Sequence, residues 1–504
     1  MTSLPLRRAA PSQQRVSARG VSDFIDAVNA AGLELHSFML YREGAVVAEA
    51  FWAPYRADRL HVQHSATKSW VSMAIGLLVD DGVLSLDAKV VGFFAADCPA
   101  HISEHLAAMT VRDLLTMRTG HRQGISGGAW RGRSESWVKL FLDEPVEDPP
   151  GQRFIYSSAS SFMLSAIVTV VSGQTAFELC NARIFQPMGM GRIEWDLAPG
   201  GYNTGGNGLS CCTEDLLKLG VLHLQQGRWE GQQLLSSEWV AEATCGHVED
   251  VWMGTFDGKR YLGRDESSDA GITRREGYGY QWWMTLHGGY YASGVFGQQC
   301  IVLPKQKAVI AFTAGLPLGE RRLHGLLWEH LFPALDVSAD SGADEGLAAL
   351  LARQQLPPLA GASTSPRQAE FSGTFEMEAN EDQVSQVRLV FGAGYCEFYL
   401  TDPRGTHCIC AGFADAIESR TSMTGHYLHH QYQAPITPVV AQAAWIDGVL
   451  IMAWQFVETA FCDRVTCRLE HGTLSVDRSV NVNAGPLQRP TLTGHPSKAL
   501  QESL

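Results

Sequence analysis

Basic charge is what this sequence most lacks. Its 39 lysines and arginines stand against 53 aspartates and glutamates, for a formal net charge of -14. Nucleic acid and anionic membranes both need basic surface, so neither is expected as a partner. Long apolar runs are lacking too, and none approaches the ~18 residues of a membrane span. The N-terminal MTSLPLRRAAPSQQRVS carries arginines but no apolar h-region, so it does not read as a secretory signal. The expectation is a cytoplasmic protein; a periplasmic one would require a leader already removed. Paired cysteine motifs are missing. The 11 cysteines are odd in number and scattered, no CxxC occurs, and HCIC at 407–410 alternates as a strand does. No structural zinc site is expected from such spacings, and buried free thiols in a reducing compartment are. There is no phosphate-binding loop and no dinucleotide fingerprint. No metal and no cofactor is expected.

What is there is an ordinary globular balance, 45% apolar and 18% charged over 504 residues, enough for two or three domains. Residues 1–20 read as a flexible N-terminus. LHSFMLYREGAVVAEAFW at 35–52 reads as a hairpin, two β-rich runs about Arg42-Glu43-Gly44. SWVSMAIGLLV at 69–79 is apolar nearly all round and reads as a buried helix. Helical spacing recurs at 110–117, 160–171 and 213–226. Thr213, Glu214 and Asp215 open the last of these with oxygens suited to free N–H groups. CIVLP and AVIAFTA, within 289–314, flank Lys305-Gln306-Lys307 as a second hairpin. The fold class expected for 21–336 is α+β: one antiparallel sheet built from both ends, flanked by helices, with an inserted helical region. Gly-, Pro- and Ser-rich stretches mark 337–370 as a linker around a short helix. Short strands with turns over 371–485 predict an all-β barrel or sandwich, and 486–504 reads as a tail.

The chemistry turns on HSATKSW, residues 64–70. Ser65-x-x-Lys68 by itself is a weak signal, since about two such matches arise by chance in 500 residues of average composition. A second, Ser136-x-x-Lys139, stands among charges and reads as a surface or helix-capping serine. Ser65 differs in standing at the mouth of the buried helix. Positions i and i+3 share a helix face, so Ser65 and Lys68 project together. A lysine in a partly dry cleft loses its proton more easily, and the neutral amine then accepts the serine proton. Tyr156, in PGQRFIYSSASSF, is open to two readings: a core aromatic, or a phenol relaying a proton to the leaving group. Gly294, in YYASGVFGQQ, is likewise open: a β-bulge, or an edge-strand residue that lets substrate and an oxyanion approach the backbone.

Ser65-x-x-Lys68, then Tyr156-Ser157-Ser158, then Ser293-Gly294 before a strand resemble, in that order, the serine β-lactamase and penicillin-binding-protein superfamily. The class C β-lactamase-related serine hydrolases, with their esterases, D-aminopeptidases and amide hydrolases, are the branch most resembled. The resemblance spans about residues 25–335, helped by DGVLSLDAKVVGFF, MTVRDLLTMRTGH and FGQQCIVLPKQKAVIAFTAG. It implies Ser65 as acyl-forming nucleophile and Lys68 with Tyr156 as acid–base pair. It also implies an oxyanion hole from the backbone N–H groups of Ser65 and Val295, the residue after Ser293-Gly294. The C-terminal part resembles the lipocalin-like barrels appended to some members. Two departures stand out. Ser158 occupies the place of a usual Asn, and Ala292 that of a usual Lys or His, which weakens recognition of β-lactam and carboxypeptidase-type substrates. The Tyr-Ser-Ser and Ala-Ser-Gly patterns also resemble the nylon-oligomer hydrolases, which cut linear amides.

His287, just before the third motif, is a candidate to stand in for the missing cation, open against the reading that it does not. His61 and His64 flank the nucleophile, and Trp282-Trp283 either wall the pocket or pack the core. His426, His429 and His430 read as polar strand positions. The function expected is hydrolysis of an ester or amide, on a small-molecule or peptide substrate. The alternatives are acyl transfer on the same fold and a catalytically inactive binding or sensor protein.

Overall fold

In the computed structural model the described residues are 4–125, 128–249, 251–252, 273–274, 276–337, 341–423, 425–432 and 434–497. The chain forms two compact units, residues 1–354 and 355–504.

The first unit is built on helix α1 (Ala18–Ala30), strands β1 (Leu35–Arg42) and β2 (Ala45–Phe51), and helix α2 (Thr67–Asp80). Helices α3 (Ser158–Ser172), α4 (Thr213–Leu224) and α5 (Ser237–Ala243) follow. Strands β3 (Trp283–Met284), β4 (Tyr290–Gly294), β5 (Gln298–Leu303) and β6 (Ala308–Ala314) and helix α6 (Asp344–Ala352) complete it. The sheet runs β3-β4-β5-β6-β1-β2, all antiparallel, so its two ends of chain meet where β6 pairs β1. Glu43 and Gly44 both take positive φ, the condition for a two-residue turn that matches strand twist. β1 is buried along its whole length because both sheet faces are covered. Phe38 meets Phe24 of α1 on one face, and Met39 and Tyr41 join the core with α2 and α4 on the other. The helical region between β2 and β3 carries most of that core.

Residues 4–20, expected to be flexible, are held in place. Arg8 bridges Val46 at the edge of β2, Leu4 N–H donates to the Gly189 carbonyl, and Val16 pairs Leu335. The edge of β2 recruits Arg7–Ala9, since an unpaired β edge leaves open donors and acceptors. The helix expected inside the linker is α6, and it belongs to the first unit, packed on α1 and β2.

The second unit contains strands β7 (Gly373–Met377), β8 (Gln386–Gly392), β9 (Tyr395–Asp402), β10 (Gly405–Gly412) and β11 (Ile417–Thr421). It continues with β12 (Thr437–Ile446), β13 (Val449–Gln455), β14 (Cys462–Glu470), β15 (Thr473–Val480) and β16 (Leu492–Pro496). The order β10-β9-β8-β7-β16-β15-β14-β13-β12 closes through a parallel contact of Gly412 with Gln442, while β11 pairs β12 only. Nine strands thus form a closed all-β barrel of lipocalin-like kind, with burial alternating along β14 as a one-sided core demands. The expected tail at 486–504 is corrected here, since Leu492–Pro496 is the strand between β7 and β15. Residues 1–3, 338–340 and 498–504, also within the expected N-terminus, linker and tail, lie outside the described residues.

Candidate active site

Ser65 sits in a short 3-10 turn, His64–Ala66, that runs straight into α2. The turn puts Lys68 one helical step on, with its Nζ 3.0 Å from Ser65 Oγ. Lys68 is only 1% exposed. Its other two polar contacts are the Gly206 carbonyl at 2.6 Å and Ser158 Oγ at 3.0 Å, and Nζ donates to both. Burial, and then the nearby positive charge of Arg131, hold the Lys68 pKa well below the usual lysine range. Once it has lost its proton, the amine has two N–H groups and one lone pair. The Gly206 carbonyl can only accept, so it takes one N–H. Ser158 takes the other, and the lone pair is left for the Ser65 O–H.

Tyr156 lies beside this pair. Lys68 Nζ stands over its ring, 4.9 Å from the centroid. A ring face favours an ammonium by about 0.5–2 kcal/mol, yet full burial outweighs it in setting the direction of the shift. Trp283 packs on Tyr156 at 5.3 Å between centroids, and Tyr278 at 6.5 Å. Trp283 therefore walls the site. Trp282 turns into the core against His223 and Tyr290.

The third piece arrives along β4. β3 pairs only with Tyr290 and Tyr291, which leaves 292–294 without a strand partner on that side among the described residues. That edge meets the Ser65 turn. A Cβ on Gly294 would fall 2.3 Å from the Gln63 carbonyl oxygen, so no side chain fits there. Phe296 then meets His64 edge-on at 5.5 Å. Ser293, Gly294 and Val295 thus lie along the strand end that meets this turn, with Ser293 and Val295 partly exposed.

His287 is corrected. It occupies the turn at the opposite end of β4, stacked on Phe332 at 3.9 Å. Four residues of strand, about 13 Å, separate that end from Gly294, so His287 does not replace the missing third-motif cation. His61 turns away too, with its Nε2 3.1 Å from His36 Nδ1. Ser136 caps the helix Trp137–Asp143 by accepting the Lys139 N–H, and Lys139 pairs Asp143. His426, His429 and His430 lie in turns, not strands, and His429 Nε2 meets buried Asp463 at 2.7 Å.

Sequence reasoning passed over three residues. Gly206 approaches Ser158 so closely that a Cβ would meet the Ser158 carbonyl at 2.6 Å. The glycine cluster in NTGGNG was its only signal. Arg131, in AWRGR, supplies the positive charge felt by Lys68. Gln281 accepts from Ser69 Oγ on α2 and Ser161 Oγ on α3 and donates to the Leu114 and Leu115 carbonyls. It binds the elements that carry Ser65 and Ser158 into one frame, and nothing in its sequence neighbourhood announces that.

The sequence profile described as Beta-lactamase matches residues 21–325. A 6-aminohexanoate-dimer hydrolase of Paenarthrobacter ureafaciens is 24% identical over 58% of this chain and 75% of its own length. Esterase EstB of Burkholderia gladioli is 29% identical over 31% of this chain, and the chain spans only 43% of that relative. Among solved structures, a penicillin-binding-protein homologue from Caulobacter crescentus superposes with a TM-score of 0.50. It is 17% identical and covers 63% of this chain and 97% of its own. That likeness concerns the fold.

Proposed function

The chain belongs to the beta-lactamase family and is a serine hydrolase of the esterase and amidase type, and from that premise we propose that Ser65 is its acyl-forming nucleophile, with Lys68 as base. The observation that carries the reading is the buried amine 3.0 Å from Ser65 Oγ, its N–H groups occupied by Gly206 and Ser158. As Oγ attacks the carbonyl carbon, Lys68 takes its proton. The oxyanion develops against the backbone N–H groups of Ser65 and Val295, on the glycine-dependent edge of β4. Tyr156 passes the proton to the departing alcohol or amine, and the bond to the leaving group breaks. Water then adds to the acyl-enzyme by the same route and releases the acid. No cofactor enters any step.

Esters and linear amides are the favoured substrates, small-molecule or peptide. Ala292 offers no cation for a substrate carboxylate, and Ser158 is engaged with Lys68. The relatives named for a 6-aminohexanoate dimer and for esters agree with that preference. The reading includes a cytoplasmic setting, on the strength of the free thiols, and no nucleic-acid or membrane partner.

The test is intact-protein mass after a fluorophosphonate probe, on wild type and on Ser65→Ala. One adduct on wild type alone is expected, together with a fall in ester turnover of at least about 10³-fold in a folded variant. Turnover retained in Ser65→Ala would sink the assignment. A folded wild type that takes no adduct would point to a binding protein that kept the fold.

A further inference from the structure

We propose that Glu242, Cys245 and His247 form a binding site for a divalent metal ion of borderline softness, zinc above all. The pattern is Glu242-x-x-Cys245-x-His247, with a single cysteine and so no cysteine pair to mark it in the sequence. The three residues sit at the end of α5 and in the turn that follows it. Their ligand atoms all lie within 4.8 Å of one another. Cys245 Sγ is 3.4 Å from His247 Nε2, and that nitrogen is 3.8 Å from Glu242 Oε2. Ligands bound to zinc at their usual lengths in a tetrahedron stand about 3.4–3.6 Å apart. The two edges that meet at His247 Nε2, 3.4 and 3.8 Å, are therefore already close to those of a zinc shell. The Glu242 carbonyl oxygen adds a fourth donor, 2.8 Å from His247 Nε2 and 3.3 Å from Cys245 Sγ. That oxygen, or a water, completes the shell.

The imidazole is positioned before any ion arrives. Its ring lies flat on Tyr280, 4.1 Å between centroids and 7° between planes. Its backbone N–H donates to the Tyr278 carbonyl, and the Tyr280 hydroxyl accepts from Arg112 at 2.6 Å. Support of this kind orients metal-bound histidines generally. The donor set selects the ion. Calcium and magnesium take oxygen ligands, whereas one sulfur, one nitrogen and one carboxylate suit zinc. Thiolate and carboxylate together neutralise the dication.

Binding forms bonds from the metal to Sγ, Nε2 and a Glu242 oxygen. The thiol proton leaves to solvent, and the neutral imidazole carries its proton on Nδ1 in place of Nε2. One proton is released per metal, so affinity falls as pH falls. The consequence is structural. The turn is bonded to Tyr278 and stacked on Tyr280, on the stretch whose Tyr278 and Trp283 pack on Tyr156. A metal there braces the wall of the Ser65 site.

The test uses the full chain, stripped with a chelator and titrated with Co²⁺ and then Zn²⁺. Expected is a thiolate-to-cobalt charge-transfer band that saturates at one equivalent and is abolished by zinc, and a higher Tm with zinc. Cys245→Ser and His247→Ala should each weaken zinc by more than about tenfold, while Cys98→Ser leaves it unchanged. All three substituted side chains lie outside the buried core, and circular dichroism checks folding. Absence of the charge-transfer band overturns the proposal. So does undiminished zinc binding in the Cys245→Ser/His247→Ala double variant, or magnesium binding as tightly as zinc.

Discussion

A lysine acts as a base only after shedding its proton, and Lys68 is placed to do so. Burial is the larger cause, and the Arg131 charge adds to it. Both disfavour the ammonium, so the rate of acylation should rise with pH along a limb set below the ordinary lysine range. Replacing Arg131 by Gln removes a positive neighbour. The ammonium is then easier to keep, the Lys68 pKa rises, and the limb moves to higher pH with its plateau unchanged. A pH profile of kcat/KM on a simple ester reads this directly, and an unmoved limb would separate the rate from Lys68 or Lys68 from Arg131. At this scale Ser65 and Lys68 were legible from their i, i+3 spacing before an apolar helix. Arg131 was not, because a charge acting through space leaves no mark in the local pattern.

Among the elements, the decisive contact is the strand end of β4 against the turn that bears Ser65. Gly294 permits it, since a Cβ there would meet the Gln63 carbonyl at 2.3 Å. Gly294→Ala should cost about 1–3 kcal/mol of stability, the usual penalty for overpacking. It should also slow fluorophosphonate labelling of Ser65 by about 10²-fold, because the turn that bears Ser65 must shift. Tm and labelling rate measured together test both; a labelling rate equal to wild type would show that the turn does not depend on this approach. The two readings of Gly294 in sequence, bulge or close approach, could not be separated there. Which backbone faces a glycine is a matter of long-range packing. His287 failed for a related reason. Sequence proximity to Ser293 placed it near the site, but a strand carries residues about 3.3 Å further per position, and it ended at the far turn.

For the molecule as a whole, the closed barrel depends on its last described strand. β16 stands between β7 and β15, and removing residues 487–504 would leave both with an open edge. Amide exchange in β7 and β15 should then lose its protection, measured on the truncated chain against the full one. Protection that survives would mean that the barrel closes without β16. The reading of 486–504 as a tail erred because a short strand buries few of its own residues, and its role comes from the two edges it joins. The N-terminal residues 4–16 were misjudged for a related reason: distant backbone orders them, Gly189 at Leu4, the edge of β2 at Arg7–Ala9 and Leu335 at Val16, not their own propensity.

Local regularity was readable in the chain. Period-two runs foretold both hairpins of the sheet and the β character of the second unit, and an apolar stretch too uniform for a surface helix foretold α2. The ordered motifs foretold the family, and Ser65 and Lys68, the first of them, lie within one helical turn. Folding alone decided which distant groups meet: Gly206 and Ser158 at the Lys68 amine, Gly294 at Gln63, Gln281 across three helices, and β16 in the barrel wall. These meetings join residues dozens to hundreds of positions apart, and the free energy that selects them is that of burying and pairing groups that no window of sequence contains together.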